Sequence, residues 1–376
     1  MIERLPVVVF LAGRPDKAGE LERWLAAAQL AATQDALARA LADAACGPCY
    51  VVSCDPAVAA AFDGWPVRVV PAPQPFHFGH ALAELAQRER LDALVYLSGG
   101  LTALLPTTWV TTVAVQLGPG RVVTNNRFSC DLAAFMPASA LARVRALARD
   151  NDLAWALAHD AGLEAVELPR DAAFGYDLDS PVDLLVLRLA AEPGPTLARC
   201  LADAPCDDGW LRAAARPLAD ANAEVAISGR VATDTLSYLD REAACRKRVV
   251  IEERGMEASG RAARGEARSL VGWLIDALGP TGLVAACAQT SAALFLDTRV
   301  LLAHAGRNVT IADRFAADLL LAERVGDPWL RALAAAARAA PRPVALGGHT
   351  LLNAGLRLLT AWGWRERALT AASRSE

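Results

Sequence analysis

Asp177 and Asp179 stand either side of Leu178 in the run Phe174-Gly-Tyr-Asp-Leu-Asp-Ser-Pro-Val-Asp183. In an extended segment that spacing lets both carboxylates turn to one side, where they offer hard oxygen ligands suited to Mg²⁺. Magnesium keeps waters and substrate phosphates as its remaining ligands, which is what phosphoryl or nucleotidyl transfer requires. Ser180, Pro181 and Asp183 also read as a helix start, with serine at the N-cap and proline at the first helical position, so the carboxylates equally suit a positive helix end.

Further along the chain, polar groups interrupt apolar runs. Gly99 and Gly100 follow the apolar stretch Leu94–Leu97, where glycines admit either a ligand close to the backbone or a tight turn. Thr124-Asn125-Asn126-Arg127 offers amides and a guanidinium to a phosphate or base edge, or forms a polar turn. The segment Arg241–Arg268 holds eight basic and five acidic residues, with Arg254 and Arg261 at glycine-punctuated positions that suit a second-substrate clamp or a solvated face. Asp297, Arg299 and His304 interrupt an apolar run, where unpaired charges would be expensive to bury, so they pair or line a cavity. Gly347-Gly348-His349-Thr350 has the strand, turn and helix shape of an anion site or of a plain turn. His77 and His80 lack further nearby ligands for a metal, and no Gly-x-Ser-x-Gly elbow marks a hydrolase.

These residues must be held by ordered elements. Up to about residue 190, strand-like and helix-like segments alternate, the pattern of an α/β layer with a mostly parallel sheet. Strands are expected at 6–11, 50–53, 67–70, 94–97, 113–115 and 165–168, with one extended stretch over 121–135 bent at Asn125-Asn126. Helices are expected over 20–45, 79–90, 138–149 and 153–161. After the Pro/Gly-rich break at 191–195, alanine- and leucine-rich helices dominate, at 270–278, 283–304, 313–324, 328–339 and 351–362. Short apolar runs at 224–227, 249–251 and 344–346 are strands or helix ends, which periodicity leaves open.

The chain has 376 residues, 54% hydrophobic and 21% charged, enough for two cores and far from a disordered composition. Its formal net charge of -4 argues against bulk nucleic-acid binding. Lys17 and Lys247 are the only lysines, so the basic residues are nearly all arginine. The N-terminus shows no secretory pattern, and the apolar stretch 282–296 is too short for a membrane span, so a buried helix and a cytoplasmic protein without a membrane partner are expected. Of the eight cysteines only Cys46 and Cys49 have CxxC spacing, and unpaired thiols in a reducing compartment are expected.

The late acidic run resembles the Asp-x-Asp-Thr-Pro-Glu-Asp-Leu element of the MobA-like nucleotidyltransferases, a group that includes molybdenum-cofactor and 2-phospholactate guanylyltransferases. The opening strand into Leu11-Ala12-Gly13-Arg14, and Leu94–Gly100 followed by Leu104-Leu105-Pro106, agree in order over residues 5–190. The resemblance implies a nucleotide-diphospho-sugar-transferase-like, Rossmann-like three-layer α/β domain over 1–195 and stops there; the alanine- and leucine-rich pattern beyond it predicts a mainly α-helical domain over 196–376. The resemblance also implies that Gly13, Arg14 and Lys17, led into by Leu11 and Ala12, fall in the nucleotide loop, and that Asp177 and Asp179 are catalytic metal ligands for Mg²⁺; by their residue types Gly99, Gly100, Asn125 and Arg127 are further candidates for the nucleotide. The family presents an aspartate after the central strand, where this chain has Ser98-Gly-Gly-Leu-Thr102. Either Asp177 and Asp179 suffice, Asp16 or Asp131 supplies the ligand, or the domain binds without catalysing.

The expected function is Mg²⁺-dependent transfer of a nucleotidyl group from a nucleoside triphosphate to a small phosphorylated or carboxylated acceptor. Arg254, Arg261, Asp297, Arg299, His304 and His349 are the candidate acceptor residues, and a homodimer is left open. The alternatives are a non-catalytic nucleotide or nucleotide-sugar binder and an enzyme whose chemistry sits in the second domain.

Overall fold

The computed structural model describes residues 4–14 and 17–373. Pro15 and Asp16, and with them part of the expected nucleotide loop, lie outside the described residues. The chain divides into two compact units. The first comprises the stretches up to residue 14, 26–177 and 193–200, and the second comprises 17–25, 178–192 and 201–373.

In the first unit, seven strands form one sheet: β1 (Leu5–Phe10), β2 (Cys46–Ser53), β3 (Val67–Pro71), β4 (Leu94–Ser98), β5 (Arg121–Thr124), β6 (Leu132–Met136) and β7 (Glu164–Glu167). Their order is β3-β2-β1-β4-β6-β5-β7, parallel except for β6, which runs against both β4 and β5. Alternation along β1 sends Val7 and Val9 to a core shared with Leu37, Ala40 and Trp109, and Val8 to a second core shared with Phe78, Leu82 and Leu157. Helices therefore cover both faces, giving three layers. Each fully buried valine or leucine contributes about 1.5–3 kcal/mol relative to exposure.

The expected strand at 113–115 is instead the end of a helix, Trp109–Ala114. Trp109, Val110 and Val113 recur at helical spacing and all face inward, a period that the three-residue window Val113-Ala114-Val115 conceals. The expected helix at 138–149 shortens to a 3₁₀ turn and Leu141–Val144. The bent stretch 121–135 is the antiparallel pair β5 and β6.

The second unit is mainly helical by residue count, and its helices flank a four-stranded sheet of β8 (Glu224–Gly229), β9 (Arg246–Ile251), β10 (Ala293–Asp297) and β11 (Val344–Gly347). The order is β11-β10-β8-β9 and every pairing is parallel. The three short apolar runs left open by periodicity are thus strands. The buried helix expected over 282–296 is corrected: the helix Leu270–Thr290 ends at Ser291, and Ala293–Asp297 is an interior strand. A strand with both neighbours parallel is covered on both faces and reads as an unbroken apolar run, which mimics a buried helix. That helix has a kink at Gly279-Pro280 and leaves Leu270, Trp273, Leu274 and Leu278 exposed.

Candidate functional site

Both sheets have a point where the chain moves to opposite sides of one strand, and in open α/β sheets ligands bind beyond the strand carboxyl ends at such points. In the first unit it lies between β1 and β4, whose ends coincide at Phe10 and Ser98. Leu11 is buried in the core, and Gly13 follows at φ 75°. A Cβ on Gly13 would lie 2.4 Å from the Asp55 Cβ, so this glycine admits Asp55. Asp55 accepts hydrogen bonds from the Arg14 N–H and the Ala57 N–H, each at 2.8 Å. The Arg14 bond, against the cost of burial and with help from Ala57, holds the Asp55 carboxyl below its ordinary value. A resident carboxylate therefore takes the loop amide that the resemblance implied for a phosphate, and the Arg14 side chain, 55% exposed, is what the loop presents. Lys17 is exposed and groups with the second unit.

Gly99 is required for packing: a Cβ there would come within 2.6 Å of Leu11 Cδ1. The Gly100 N–H points to Ser98 Oγ at 3.4 Å, closing the turn. Although β4 ends without a carboxylate, the antiparallel β6 begins at the same edge. The Ser98 N–H donates to the Asp131 carbonyl at 2.8 Å, which brings Asp131 beside the end of β4. Asn125, buried, fixes this corner. Its Oδ1 accepts from the Asp131 and Leu132 N–H groups at 3.1 and 3.0 Å, and its Nδ2 donates to the Phe174 carbonyl at 3.1 Å and to Asp131 Oδ2 at 3.4 Å. Arg127 lies over the Trp155 ring, 5.4 Å from its centroid, and among the described residues its buried Nε has no hydrogen-bond partner.

In the second unit the crossover lies between β8 and β10. Strand β8 ends in Gly229-Arg230, β10 in Asp297-Thr298-Arg299, and β11 in Gly347-Gly348-His349. Asp297 is buried, and Arg230 donates to it from Nε at 2.6 Å and Nη2 at 3.2 Å, while the Arg299 N–H donates at 3.0 Å. Burial pushes the Asp297 carboxyl up, but Arg230 prevails and holds it below its ordinary value. Gly229, at φ 135°, is placed where a Cβ would meet the Asp297 Cβ at 2.2 Å. Arg299 Nη1 donates to both oxygens of Asp318, at 2.9 and 2.6 Å, and Asp318 also lies 2.9 Å from the Thr298 hydroxyl. Here burial outweighs the arginine and raises the Asp318 carboxyl.

His349 Nδ1 lies 3.4 Å from Asp179 Oδ2. Burial, with Arg230 and Arg299 nearby, lowers the imidazole pKa against the pull of Asp179 and Asp297. Asp183, fully enclosed, accepts from the Ser180 N–H and hydroxyl at 2.8 Å each, and burial together with Asp179 drives its carboxyl well above the ordinary range. Asn353 ties the strand ends together: its Nδ2 donates to the Arg230 and His349 carbonyls at 2.9 and 2.7 Å, and its Oδ1 accepts from the Ala232 N–H at 2.6 Å.

The structure therefore brings Asp179, Asp297, Arg299 and His349 to one sheet edge, while three other candidate acceptor residues go elsewhere. His304 Nδ1 accepts from the Ser269 N–H at 3.1 Å and its Nε2 lies 3.1 Å from Asp276, so it secures the start of the helix Leu270–Thr290. Arg261 forks onto Glu253 at 3.0 and 2.9 Å. Arg254, exposed, reaches Thr233 Oγ1 at 3.3 Å. Arg230, Asp318, Arg314 and Asn353 escaped the sequence reading. A glycine followed by a charge at the end of an apolar run marks Arg230, but Asp318, Arg314 and Asn353 carry no such mark. His77 is accounted for as the cap of the helix Phe78–Arg88, its ring stacked on His80 at 4.1 Å.

No protein-family model matches the sequence, and no curated protein matches it. Among solved structures, a nucleotidyl transferase from Methanothermobacter thermautotrophicus is similar over 49% of this chain and 96% of its own, at 19% identity and a TM-score of 0.39. A CMP:2-keto-3-deoxy-manno-octonic acid synthetase complexed with CTP is similar over 44% of this chain and 90% of its own, at 14% identity and a TM-score of 0.31. A Desulfovibrio desulfuricans protein described as a nucleotide-diphospho-sugar transferase is similar over 55% of this chain and all of its own, at 15% identity and a TM-score of 0.37.

Proposed function

We propose that the chain is a nucleotidyltransferase whose first unit binds a nucleoside triphosphate at the β1/β4 edge and passes the nucleotidyl group to a small phosphorylated or carboxylated acceptor. The observation that carries this reading is Asp131: β6 delivers a carboxylate beside the end of β4, where Ser98-Gly99-Gly100 itself supplies none. Asp177 and Asp179 would hold Mg²⁺. Their donor chemistry fits, and burial alternates through Tyr176, Asp177, Leu178 and Asp179, the enclosed Tyr176 and Leu178 leaving the two carboxylates on the more open side of an extended segment. When bound, the ion would neutralise phosphate charge during in-line displacement. Arg14 would meet the triphosphate, Asn125 would hold Asp131 in place, and Asp55 would repel a phosphate that approached without compensating charge. Such transfer needs positioning and charge compensation and no covalent nucleophile.

The test is thermal unfolding of the full chain with ATP, CTP, GTP or UTP, each with and without Mg²⁺, followed by pyrophosphate release. One nucleotide should raise Tm only with Mg²⁺, and Asp131→Asn and Asp179→Asn should each abolish pyrophosphate release. Binding that persists in wild type without any turnover favours the non-catalytic alternative. No shift with any nucleotide overturns the reading.

A further inference from the structure

The second unit has chemistry that nucleotide binding in the first does not use. At the β8/β10 edge, Arg230 is matched by Asp297 and Arg299 by Asp318, so two of the arginines are neutralised in pairs. Arg314, on the helix Ile311–Asp318, is different: among the described residues its Nε is buried without a hydrogen-bond partner and its guanidinium forms no ion pair. Arg314 lies one turn before Asp318 on that helix, so the two share a face. The Thr298 hydroxyl links Asp318, at 2.9 Å, to the Gly347 carbonyl, at 3.1 Å, which brings this face of the helix to the end of β11.

A second orphan lies in the adjoining turn. Thr350 is 2% exposed, and among the described residues its hydroxyl has no hydrogen-bond partner. It follows Gly347-Gly348-His349 and opens the continuous helical segment that runs from Leu351 to Ala372. A helix N-terminus presents backbone N–H groups and a partial positive charge suited to an anion. Gly348 lies beside Arg299, whose guanidinium atoms would be in ordinary contact, at 3.8–3.9 Å, with a Cβ there. Buried polar groups are ordinarily satisfied, so a guanidinium nitrogen and a hydroxyl that lack partners among the described residues, one on the helix tied to the end of β11 and the other just after that strand, leave donors for a missing acceptor. Of the other carboxylates at this edge, Asp183 is enclosed and accepts from the Ser180 N–H and hydroxyl at 2.8 Å, and Asp179 is turned to His349 at 3.4 Å.

We propose that the second unit binds the phosphoryl group of a small molecule at the carboxyl edge of its sheet, in the turn Gly347–Thr350, with Arg314 as the recognising fork and the Thr350 hydroxyl as a further donor. A tetrahedral phosphate has the several acceptor oxygens that a guanidinium fork, a hydroxyl and helix N-terminal N–H groups require together. This site stands independently of nucleotide binding by the first unit.

The probe is inorganic phosphate, titrated into the full chain at constant ionic strength against chloride, with Tm and ³¹P line broadening as readouts. Wild type should show a saturable Tm rise absent with chloride. Arg314→Gln and Thr350→Val should each weaken phosphate affinity at least tenfold, whereas the exposed Arg338→Gln should leave it unchanged. Because Arg314 has no partner to lose, Arg314→Gln should be at least as stable as wild type without phosphate, so a misfolded variant counts against the assignment. An unchanged phosphate response in both Arg314→Gln and Thr350→Val, or one reproduced by chloride, overturns it. So does a response retained in Arg314→Gln but lost in Arg14→Ala, which places the phosphate on the first unit's loop.

Discussion

Replacing Asp297 by asparagine keeps the shape of the β10 terminus but removes the charge that Arg230 is built around. The Asp297 side chain is fully enclosed and that of Arg230 is 14% exposed, so the guanidinium would be left largely buried without its counter-charge. Breaking a buried pair by altering one partner costs about 3–5 kcal/mol. The amide oxygen introduced by Asp297→Asn can still accept from the Arg299 N–H, which keeps the expected loss near the lower end, about 3 kcal/mol. For a unit of this size 1 kcal/mol moves Tm by about 2–4 °C, so Asp297→Asn should lower the midpoint of the second unit by about 6–12 °C. Scanning calorimetry should show the shift in one transition if the units melt separately. Adding Arg230→Met should restore about 2 kcal/mol or more, because the stranded charge is gone. The sign of the pH dependence follows from Asp297's lowered pKa: its contribution is complete above the unfolded carboxylate value of about 3.9 and is lost as pH falls through the folded value. Asp318, with a raised pKa, acts oppositely, its contribution lost as pH rises through the folded value. A loss under about 1 kcal/mol, or strictly additive effects in the double variant, refutes the paired-charge account.

Asn125→Ala should cost about 2–3 kcal/mol in urea unfolding, since it strands the buried Asp131 and Leu132 N–H groups and the Phe174 carbonyl. It should also reduce any nucleotide response in parallel with Asp131→Asn, and an unaltered response would remove Asn125 from its positioning role. His304→Ala should destabilise by about 2 kcal/mol through the lost acceptor for Ser269 and the emptied space against Gly272, while phosphate affinity stays at the wild-type value. Gly229→Ala should cost about 3 kcal/mol or more, because the new methyl group meets the Asp297 Cβ at 2.2 Å from a backbone already at φ 135°. A Gly229→Ala protein with wild-type Tm contradicts that packing.

Much of the first unit was legible because its strands carry β-branched runs bounded by turn residues, and β1, β3 and β4 emerge within a residue or two of their expected limits. Strand β10 was not, since Ala-Leu-Phe-Leu continues the apolar character of the preceding helix and only the short polar run Gln289-Thr290-Ser291 interrupts it. For the second unit's edge, Asp297, Arg299 and His349 stood out as charges against apolar surroundings. Their partners did not, because Arg230 and Asp318 come from other segments and meet them only through the folded arrangement of the parallel strands and the helix Ile311–Asp318. Asp131 was visible only as an alternative: what places it beside Ser98 is the reversed direction of β6, which no local pattern encodes.

The interleaved chain path has a practical consequence for anyone dissecting the gene. The helix Pro181–Ala190 groups with the second unit although it precedes residues 193–200, which group with the first. A cut at 195, the boundary suggested by composition, would leave a C-terminal fragment lacking a helix whose Val182, Leu184, Leu185, Val186 and Leu187 are all fully enclosed. It would also lack Asp179, the companion of His349. Neither half is a cassette that can be transplanted by a single splice, and fragments made that way would expose apolar surface that the intact protein covers.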